Sequence, residues 1–310
     1  MKDRKLLFVY NPMAGMEMIK TRLGRIVQTF TDAGFIVTTC ATDGKGDATE
    51  YIKNMGMDYD LIVSSGGDGT LNETVKGLLA LPEKKKCGYI PAGTVNDFAT
   101  SLKIPKNMYK AAQMAVSERY FQCDIGRLND KIFCYVAAFG AFTNVSYTTS
   151  QELKNSIGKF AYFWEALNQV GEIEPHHVVI EHDGIREEAN IILGLISNSE
   201  SIGGIKAYDK GDVNMDDGLL EVALIKELKT AFDLQNVLNA ILTKSYNSEF
   251  LIKFNCASLK LTSDSEIAWT VDGEDAGSYT DIDIGIYERA VDIACKQKNK
   301  KPKKIKLKEK

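Results

Sequence analysis

The sequence has few of the residues on which many hydrolases and metalloenzymes depend. Its 310 residues include only three histidines, all within the segment HHVVIEH (176–182), and its six cysteines form no Cys-x-x-Cys pair. A histidine-based triad or a zinc site needs such residues in convergent or closely spaced sets. The composition therefore argues against both sites. We expect reduced, structural cysteines and a chemistry that uses carboxylates.

Long apolar runs are also absent. No run approaches the roughly 20 residues that span a bilayer, and the apolar segment of MKDRKLLFVYNP is short for a signal peptide. Because 44% of the residues are hydrophobic, the chain can bury a large core, and its length suggests two domains. We expect a cytoplasmic protein.

Two common nucleotide-binding motifs are missing as well. The sequence contains no G-x-x-x-x-G-K-[ST], and no G-x-G-x-x-G follows the first apolar run. These absences argue against a P-loop protein and against a nicotinamide dehydrogenase.

Positive charge is concentrated at the end of the sequence. Residues 295–310 contain nine lysines and one glutamate, whereas the whole chain has a net charge of −4. Such a stretch is expected to be disordered and solvated, or to attach to an anionic membrane, where each lysine contributes about 1 kcal/mol. The acidic remainder has no basic patch with interleaved aromatic residues, so we expect no nucleic-acid binding.

Short apolar runs alternate with amphipathic segments in the first part of the chain (1–122). The runs lack strict alternation, which is typical of strands covered on both faces, so they predict a doubly wound parallel α/β sheet. The predicted strands are 6–10, 35–41, 61–65 and 87–91, and the predicted helices lie near 18–32, 47–55, 71–80 and 108–117.

The second part (123–294) has period-two runs joined by tight turns. This pattern predicts an antiparallel β-sandwich or barrel, with one hairpin turning at Asp183 and Gly184 and helices near 153–170 and 229–243. No flexible linker separates the two parts, so we expect the active site in a cleft between them. We leave open that the last segment packs back on the first domain.

The segment SSGGDGTLNET (64–74) leaves an apolar strand through three glycines. Thr70 and Glu73 have the spacing of a capping box, which predicts that a helix begins at Thr70. The unpaired N–H groups of a helix N-terminus attract phosphate. A glycine-rich bend before such a helix therefore predicts a phosphate-binding loop, although a plain strand-to-helix turn is the alternative.

Three loops rich in small and polar residues follow three of the predicted parallel strands. They are residues 11–15, 66–70 and 91–98. The carboxyl ends of parallel strands share one edge of a sheet, and ligands bind there. The loops therefore predict a nucleotide site at this edge.

The motifs NPMAG, SGGDGTLNE and PAGTVNDFA occur in this order, followed by CDIGRLN, MDDGLLEV and VDGE. Together they resemble the soluble diacylglycerol kinase family, which is related to sphingosine and ceramide kinases and, more distantly, to NAD kinases and phosphofructokinases. The resemblance implies a fold of the NAD kinase and diacylglycerol kinase type and an ATP-dependent, Mg²⁺-requiring phosphotransferase.

The resemblance also implies which residues bind ATP, with Thr94, Asn96 and Asp97 holding either the nucleotide or its magnesium. They are Asn11, Pro12, Gly15, Thr42, Gly66, Gly67, Asp68, Gly69, Thr70, Leu71, Asn72, Thr94, Asn96 and Asp97. Ala14 stands where many relatives carry serine, so a hydroxyl contact to phosphate is absent there. Cradling by backbone N–H groups needs no side chain and is unaffected.

The resemblance assigns the catalytic carboxylates to Asp272 and Glu274. Residues two apart share a face of an extended segment, and Gly273 permits a turn or a close approach. Phosphoryl transfer needs a base near the attacking hydroxyl, which a carboxylate supplies. A solvated turn is the structural alternative.

The resemblance also implies a Mg²⁺ site. Its ligands would be Asp217 and the backbone oxygens of Asn214 and Leu219, with Asp124 in the surrounding hydrogen-bond network. Hard cations take oxygen ligands of these kinds. A plain turn before a strand is the alternative.

The acceptor implied by the resemblance is the free hydroxyl of diacylglycerol, which would give phosphatidic acid. Another glycerolipid, a sphingoid base and NAD stay open, as does a catalytically silent nucleotide- or membrane-binding module. The aromatic segment 158–170 suits core packing or an acyl-chain entrance. We expect peripheral association with an anionic membrane, and the oligomeric state stays open, a homodimer included.

Overall fold

The computed structural model describes residues 4–15, 18–94, 96–140, 174–199, 201–202, 205–206, 214–230, 232–233, 236–237, 240 and 248–297. Within these residues, no helix combines the length and the apolar character needed to cross a membrane.

The first region alternates strands and helices, as the sequence predicts. Its strands are β1 (Arg4–Tyr10), β2 (Phe35–Ala41), β3 (Leu61–Gly66) and β4 (Lys86–Pro91). Its helices are α1 (Met18–Asp32), α2 (Asp47–Met55), α3 (Asp68–Leu79), α4 (Asp97–Ser101) and α5 (Met108–Ala115), with a 3-10 turn at Gly56–Asp58. The strands are parallel in the order β2, β1, β3, β4. Among the described residues of this region, the sequence pattern does not predict the short helix α4 or the 3-10 turn.

The second region is antiparallel. Its strands are β5 (Tyr120–Leu128), β6 (Lys131–Phe133), β7 (Val136–Gly140), β8 (His176–His182), β9 (Ile185–Ser197), β10 (Ser201–Ile202), β11 (Ile205–Lys206), β12 (Leu220–Lys226), β13 (Leu251–Cys256), β14 (Ser258–Val271) and β15 (Glu274–Ala294). The hairpin of β8 and β9 turns at Asp183 and Gly184, both with positive φ, as predicted. Strands β7 and β8 lie end to end between β9 and β14.

Two helices predicted in this region fall largely outside the described residues. The segment 153–170 lies wholly outside them. Of the segment 229–243, residues 232–233, 236–237 and 240 are helical.

The 21-residue strand β15 joins the two regions. Its first half pairs with β14 and its second half with β5. Near its end, Asp292 and Ile293 pair in parallel with Lys86 and Cys87 of β4. Within the described residues, a single 13-stranded sheet therefore runs through both regions. The turn between β14 and β15 contacts α3, because Asp272 accepts a hydrogen bond from Asn72.

The burial patterns explain the two kinds of sheet. All six residues of β3 are buried, because helices cover both faces of the parallel part. In contrast, β14 alternates between buried and exposed residues over most of its length. Trp269 of β14 packs against Phe139 of β7, with ring centroids 4.6 Å apart. The mixed α/β and antiparallel fold class predicted from the sequence is thus confirmed.

Candidate active site

The loops after β1, β2, β3 and β4 meet at one edge of the parallel sheet. Backbone hydrogen bonds continue past the strand ends: Asn11 N donates to Ser65 O at 2.8 Å, Thr42 N to Tyr10 O at 2.9 Å and Ala92 N to Gly66 O at 2.8 Å. We call the edge formed by residues 11–15, 42–46, 66–70, 91–94 and 96–97 the rim. It brings together the loops in which the sequence predicts nucleotide binding.

The glycines of the rim allow its loops to pack on one another. A Cβ atom on Gly15, which has a φ of +60°, would lie 2.4 Å from Ala92 O. A Cβ on Gly93 would lie 2.7 Å from Gly67 Cα, and one on Gly66 would collide with the side chain of Thr70. Close packing of the loops therefore requires these glycines, in addition to any need for a ligand to approach the backbone.

The helix after the glycine-rich loop begins at Asp68, with Gly67 as its N-cap residue, and not at the predicted Thr70. The predicted capping box does not form. The carboxylate of Glu73 instead accepts hydrogen bonds from Gly46 N at 2.7 Å and Ala48 N at 3.3 Å, at the start of α2. The prediction was wrong because a neighbouring helix N-terminus competes for the same carboxylate.

Asn96 orders the last rim loop through its own side chain. It has a φ of 55°, and its Oδ1 accepts a hydrogen bond from Gly93 N at 3.0 Å. Its backbone N–H donates to Asp68 Oδ2 at 3.0 Å. Asn96 therefore connects two rim loops, and the neighbouring Asp97 is buried at the start of α4.

The remaining predicted nucleotide residues differ in exposure. Asn11 Oδ1 accepts a hydrogen bond from Met13 N at 2.8 Å, which forms a tight turn beside the half-buried Pro12. Leu71 is buried in α3, and Thr94 is exposed. Thr94 is therefore accessible to a ligand, whereas Leu71 is a core residue.

Asp68 lies within a group of acidic side chains. Burial, followed by the charges of Asp97 and Asp272, raises its pKa from an ordinary value of 3.8 to about 6. Its Oδ1 is buried and has no hydrogen-bond partner among the described residues. The folded protein therefore favours a proton, a cation or a hydrogen-bond donor at this carboxylate.

We expect Asp68→Asn to stabilise the ligand-free protein by about 1–3 kcal/mol near neutral pH, because it removes a charge whose folded-state pKa is raised by burial. The amide oxygen can still accept the backbone N–H groups of Asn96 and Asp97. The wild type loses stability as the pH rises from the ordinary pKa of this carboxyl, 3.8, to its folded-state pKa of about 6. The stability difference between the variant and the wild type should therefore shrink toward zero in acid. Calorimetric melting of the variant and of an exposed control, Asp58→Asn, checks this; a pH-independent difference would contradict it.

Asp272 is almost completely enclosed by hydrogen-bond donors. Its Oδ1 accepts from Tyr135 N at 3.0 Å and Val136 N at 3.2 Å, and its Oδ2 accepts from Cys134 N at 2.7 Å and Asn72 Nδ2 at 2.8 Å. Burial raises the pKa of this carboxyl, and the same hydrogen bonds oppose the shift. The contacts fasten the turn between β14 and β15 to the segment between β6 and β7.

Asn72 is one of those donors, so its side chain contacts the second region. Its Nδ2 also donates to Ile132 O at 3.3 Å. Because Asn72 is buried on α3, it ties this helix to the turn that carries Asp272. The sequence prediction places it at the nucleotide; the structure places it at the junction of the two regions.

Glu274, two residues further on, has an accessible carboxylate. Its side chain is 44% exposed, and its Oε2 lies 2.8 Å from Lys45 Nζ. Its Oε1 is so close to the first turn of α3 that a Cβ on Gly69 would lie 2.8 Å away. The second region therefore places one carboxylate directly beside the predicted phosphate-binding loop.

The predicted metal residues surround the loop before β12. Asp217 is exposed, and its carboxylate accepts hydrogen bonds from Asn214 Nδ2 at 3.1 Å and Leu219 N at 3.2 Å. Asp124 is buried, and its carboxylate accepts Gly218 N at 2.8 Å and a backbone N–H from β15 at 2.5 Å. Asp124 therefore clamps the loop, and Asp217 presents its carboxylate to solvent.

This loop fits Mg²⁺ in its donor chemistry. Within the described residues, no group of three or more histidine, cysteine, aspartate or glutamate side chains could hold a metal ion. Magnesium needs only one or two carboxylates, because it keeps several of its water ligands. Asp217 with neighbouring amide and carbonyl oxygens meets that requirement.

Three features of the site have no counterpart in the sequence prediction: the contact of Lys45, the position of Glu73 and the contacts of Tyr135. The hydroxyl of Tyr135 donates to Asp272 O at 2.9 Å. A lysine between two glycines after β2, in DGKG (43–46), was a signal for the first. The other two depend on contacts between distant segments.

Comparison with known proteins places both regions in one family. Residues 5–128 match the diacylglycerol kinase catalytic domain, and residues 137–292 match the YegS C-terminal NAD kinase beta sandwich-like domain. The diacylglycerol kinase of Bacillus subtilis (strain 168) is 30% identical over 297 residues, which cover 95% of this chain and 98% of the relative. That of Staphylococcus carnosus (strain TM300) is 32% identical over 280 residues, covering 88% and 90%.

A solved structure gives the same result for the fold. The crystal structure of a diacylglycerol kinase from Bacillus anthracis str. Sterne superimposes with a TM-score of 0.79 at 27% identity, covering 95% of this chain and 98% of that one. The resemblance inferred from the three loop motifs is confirmed. Because the matches extend over nearly the whole length of both partners, the chain belongs to the diacylglycerol kinase family.

Proposed function

We propose that this protein is a lipid kinase that transfers the γ-phosphate of ATP to the free hydroxyl of diacylglycerol and forms phosphatidic acid. Family membership supports a kinase, and the relatives' names support the acceptor. The observation that carries the proposal is the position of Glu274, whose carboxylate lies against the first turn of α3. A base and a phosphate-binding helix end are thereby adjacent, as phosphoryl transfer requires.

In this proposal the rim binds the triphosphate. The N-terminus of α3 offers backbone N–H groups and the positive end of the helix dipole. Asp68 Oδ1 is buried and has no hydrogen-bond partner in the part of the chain that the structure describes, so this carboxylate suits a cation accompanying the nucleotide. Asn96 and the rim glycines keep the loops in register, so their contribution is to the shape of the site.

The two carboxylates of the VDGE segment have different roles in the proposal. Glu274 is accessible and accepts a hydrogen bond from the acceptor hydroxyl as general base. Asp272 is enclosed by four donors and acts as a positioning residue for the turn that carries Glu274. This division sharpens the sequence prediction, which gives both residues the same role.

We assign the Mg²⁺ site to Asp217 with oxygens of Asn214 and Leu219, and Asp124 holds their loop in place. Bound Mg²⁺ would place positive charge beside these oxygen ligands in the second region. In the structure, the carboxylates of Asp217 and Asp124 hold the loop in place by accepting hydrogen bonds from its backbone N–H groups.

The proposal includes association with an anionic membrane surface, since diacylglycerol resides in bilayers. The lysine-rich segment 295–310 supports it through charge alone. Its lysines beyond residue 297 lie outside the described residues, as does the aromatic segment 158–170.

Radiolabelled ATP with Mg²⁺ and a panel of acceptors in mixed micelles tests the proposal. The panel contains diacylglycerol, monoacylglycerol, ceramide, sphingosine and NAD. We expect label in phosphatidic acid and little elsewhere, with a reaction that lacks the protein as the blank. Label in a different acceptor would show that this alcohol is the substrate. No transfer to any acceptor would refute the proposed kinase function.

A further inference from the structure

The ion pair between Lys45 and Glu274 joins the first region to the second at the rim. Lys45 Nζ lies 2.8 Å from Glu274 Oε2, while Glu274 Oε1 lies against Gly69 in the first turn of α3. The two oxygens of one carboxylate therefore connect the ammonium group to the predicted phosphate-binding loop.

The backbone on either side of Lys45 is held in place. Asp47 Oδ2 accepts hydrogen bonds from Asp43 N and Gly44 N, both at 2.8 Å. On the other side, Glu73 Oε1 accepts one from Gly46 N at 2.7 Å. Two carboxylates thus fix a four-residue loop whose one cationic side chain reaches Glu274.

Stability does not account for this ion pair. The side chain of Lys45 is 78% exposed and that of Glu274 is 44% exposed. Exposed pairs of this kind contribute little to folding, because water solvates both charges and the long side chains lose entropy. An anion with more charge than one carboxylate can therefore displace Glu274 from the ammonium group.

The carboxyl groups at and beside the rim create a need for a cation when a triphosphate binds there. Burial and, after it, the charges of the nearby Asp97 and Asp272 raise the pKa of Asp68, so three carboxyl groups lie close together here. A triphosphate that binds beside them needs cationic partners. Lys45 is a cation at this edge with a fixed backbone and an exposed side chain.

We propose that Lys45 binds the terminal phosphates of the nucleotide and exchanges its Glu274 partner for phosphate oxygens when the rim is occupied. This inference rests on the proposed function, because it takes ATP as the ligand. The exchange frees Glu274 Oε2 for the acceptor hydroxyl. Binding of the phosphate donor thereby prepares the carboxylate that activates the acceptor.

The test compares the affinities of ATP, ADP and AMP for the wild type, Lys45→Met and Lys45→Arg by isothermal titration calorimetry. Lys53→Met is the matched control, since Lys53 is an exposed lysine that pairs with Glu50 at 3.7 Å on the adjacent α2. We expect Lys45→Met to weaken ATP binding by about 10–100-fold, as loss of a charge-assisted hydrogen bond does, and to leave AMP binding nearly unchanged. Lys45→Arg should restore most of the affinity, and the control should match the wild type.

Each other outcome refutes a definite part of the inference. If Lys45→Met binds ATP as tightly as the wild type, Lys45 makes no phosphate contact. If the variant loses affinity for ATP, ADP and AMP equally and melts at a lower temperature, the role of Lys45 is structural. A wild type that binds no nucleotide refutes the proposed function itself, together with the role of Lys45.

Discussion

Glu274→Gln is expected to lower kcat by about 10²–10⁴-fold, the contribution typical of a positioned general base. The amide has nearly the shape of the carboxylate but cannot accept the proton of the acceptor hydroxyl. Because the side chain of Glu274 is 44% exposed and pairs with an exposed lysine, the melting temperature should not change. Steady-state phosphorylation of diacylglycerol, calorimetric melting and ATP titration measure the three quantities separately.

The ATP titration distinguishes a base from a nucleotide ligand. With glutamine at position 274, Lys45 loses its charged partner, so ATP affinity should stay equal to that of the wild type or increase. Glu266→Gln, on an exposed position of β14, serves as a control for removal of one negative charge. Retention of full turnover by Glu274→Gln, or a loss of ATP affinity that accounts for the whole defect, would remove Glu274 from the role of base.

The sequence predicts the parallel part of the fold well, and the reason is local. Each of its strands is a short apolar run, and β3 is buried along its whole length, so hydrophobicity alone marks it. The amphipathic segments between them have the period of a helix, and α1 and α2 begin and end where the pattern predicts. Because these strands are parallel, their carboxyl ends lie at one edge of the sheet, and the loops that follow them meet there.

The detail of the site was less predictable, because it depends on pairs of residues far apart in sequence. Glu73 and Thr70 have the spacing of a capping box, but Gly46 and Ala48 of another element take the carboxylate. The difference between Asp272 and Glu274 has the same origin. Backbone N–H groups more than 130 residues earlier enclose Asp272, whereas Glu274 faces the rim.

The spacing of VDGE therefore identifies the two carboxylates without distinguishing them. Asp272 has a φ of 52° and Gly273 a φ of 82°, so the turn needs external support to keep the aspartate in the left-handed region. The donors around its carboxylate provide that support. A residue held in this way fixes the direction of the strand that follows it.

Asp272→Asn is accordingly expected to lower stability and turnover together, unlike Glu274→Gln. Each carboxylate oxygen of Asp272 accepts two hydrogen bonds, whereas the asparagine side chain has only one acceptor oxygen. Its NH₂ group would face two buried donors, each of which costs about 1–3 kcal/mol when left without an acceptor. Removal of a buried charge offsets part of this cost. We expect a net loss of about 1–4 kcal/mol in the free energy of unfolding and a fall in kcat, measured by denaturant titration and steady-state kinetics.

Tyr135→Phe isolates the positioning effect, because it keeps the carboxylate contacts and removes only the hydroxyl that donates to Asp272 O at 2.9 Å. This variant should lose less stability than Asp272→Asn and still lower kcat while the KM for ATP stays constant, since the carbonyl that it releases belongs to the turn before Glu274. If Asp272→Asn instead unfolds like the wild type but transfers no phosphate, and Tyr135→Phe is fully active, the enclosed carboxylate itself takes part in the chemistry. In that case Asp272 would be the catalytic carboxylate, and the turn would follow from its burial. Glu274 would then serve chiefly as the partner of Lys45.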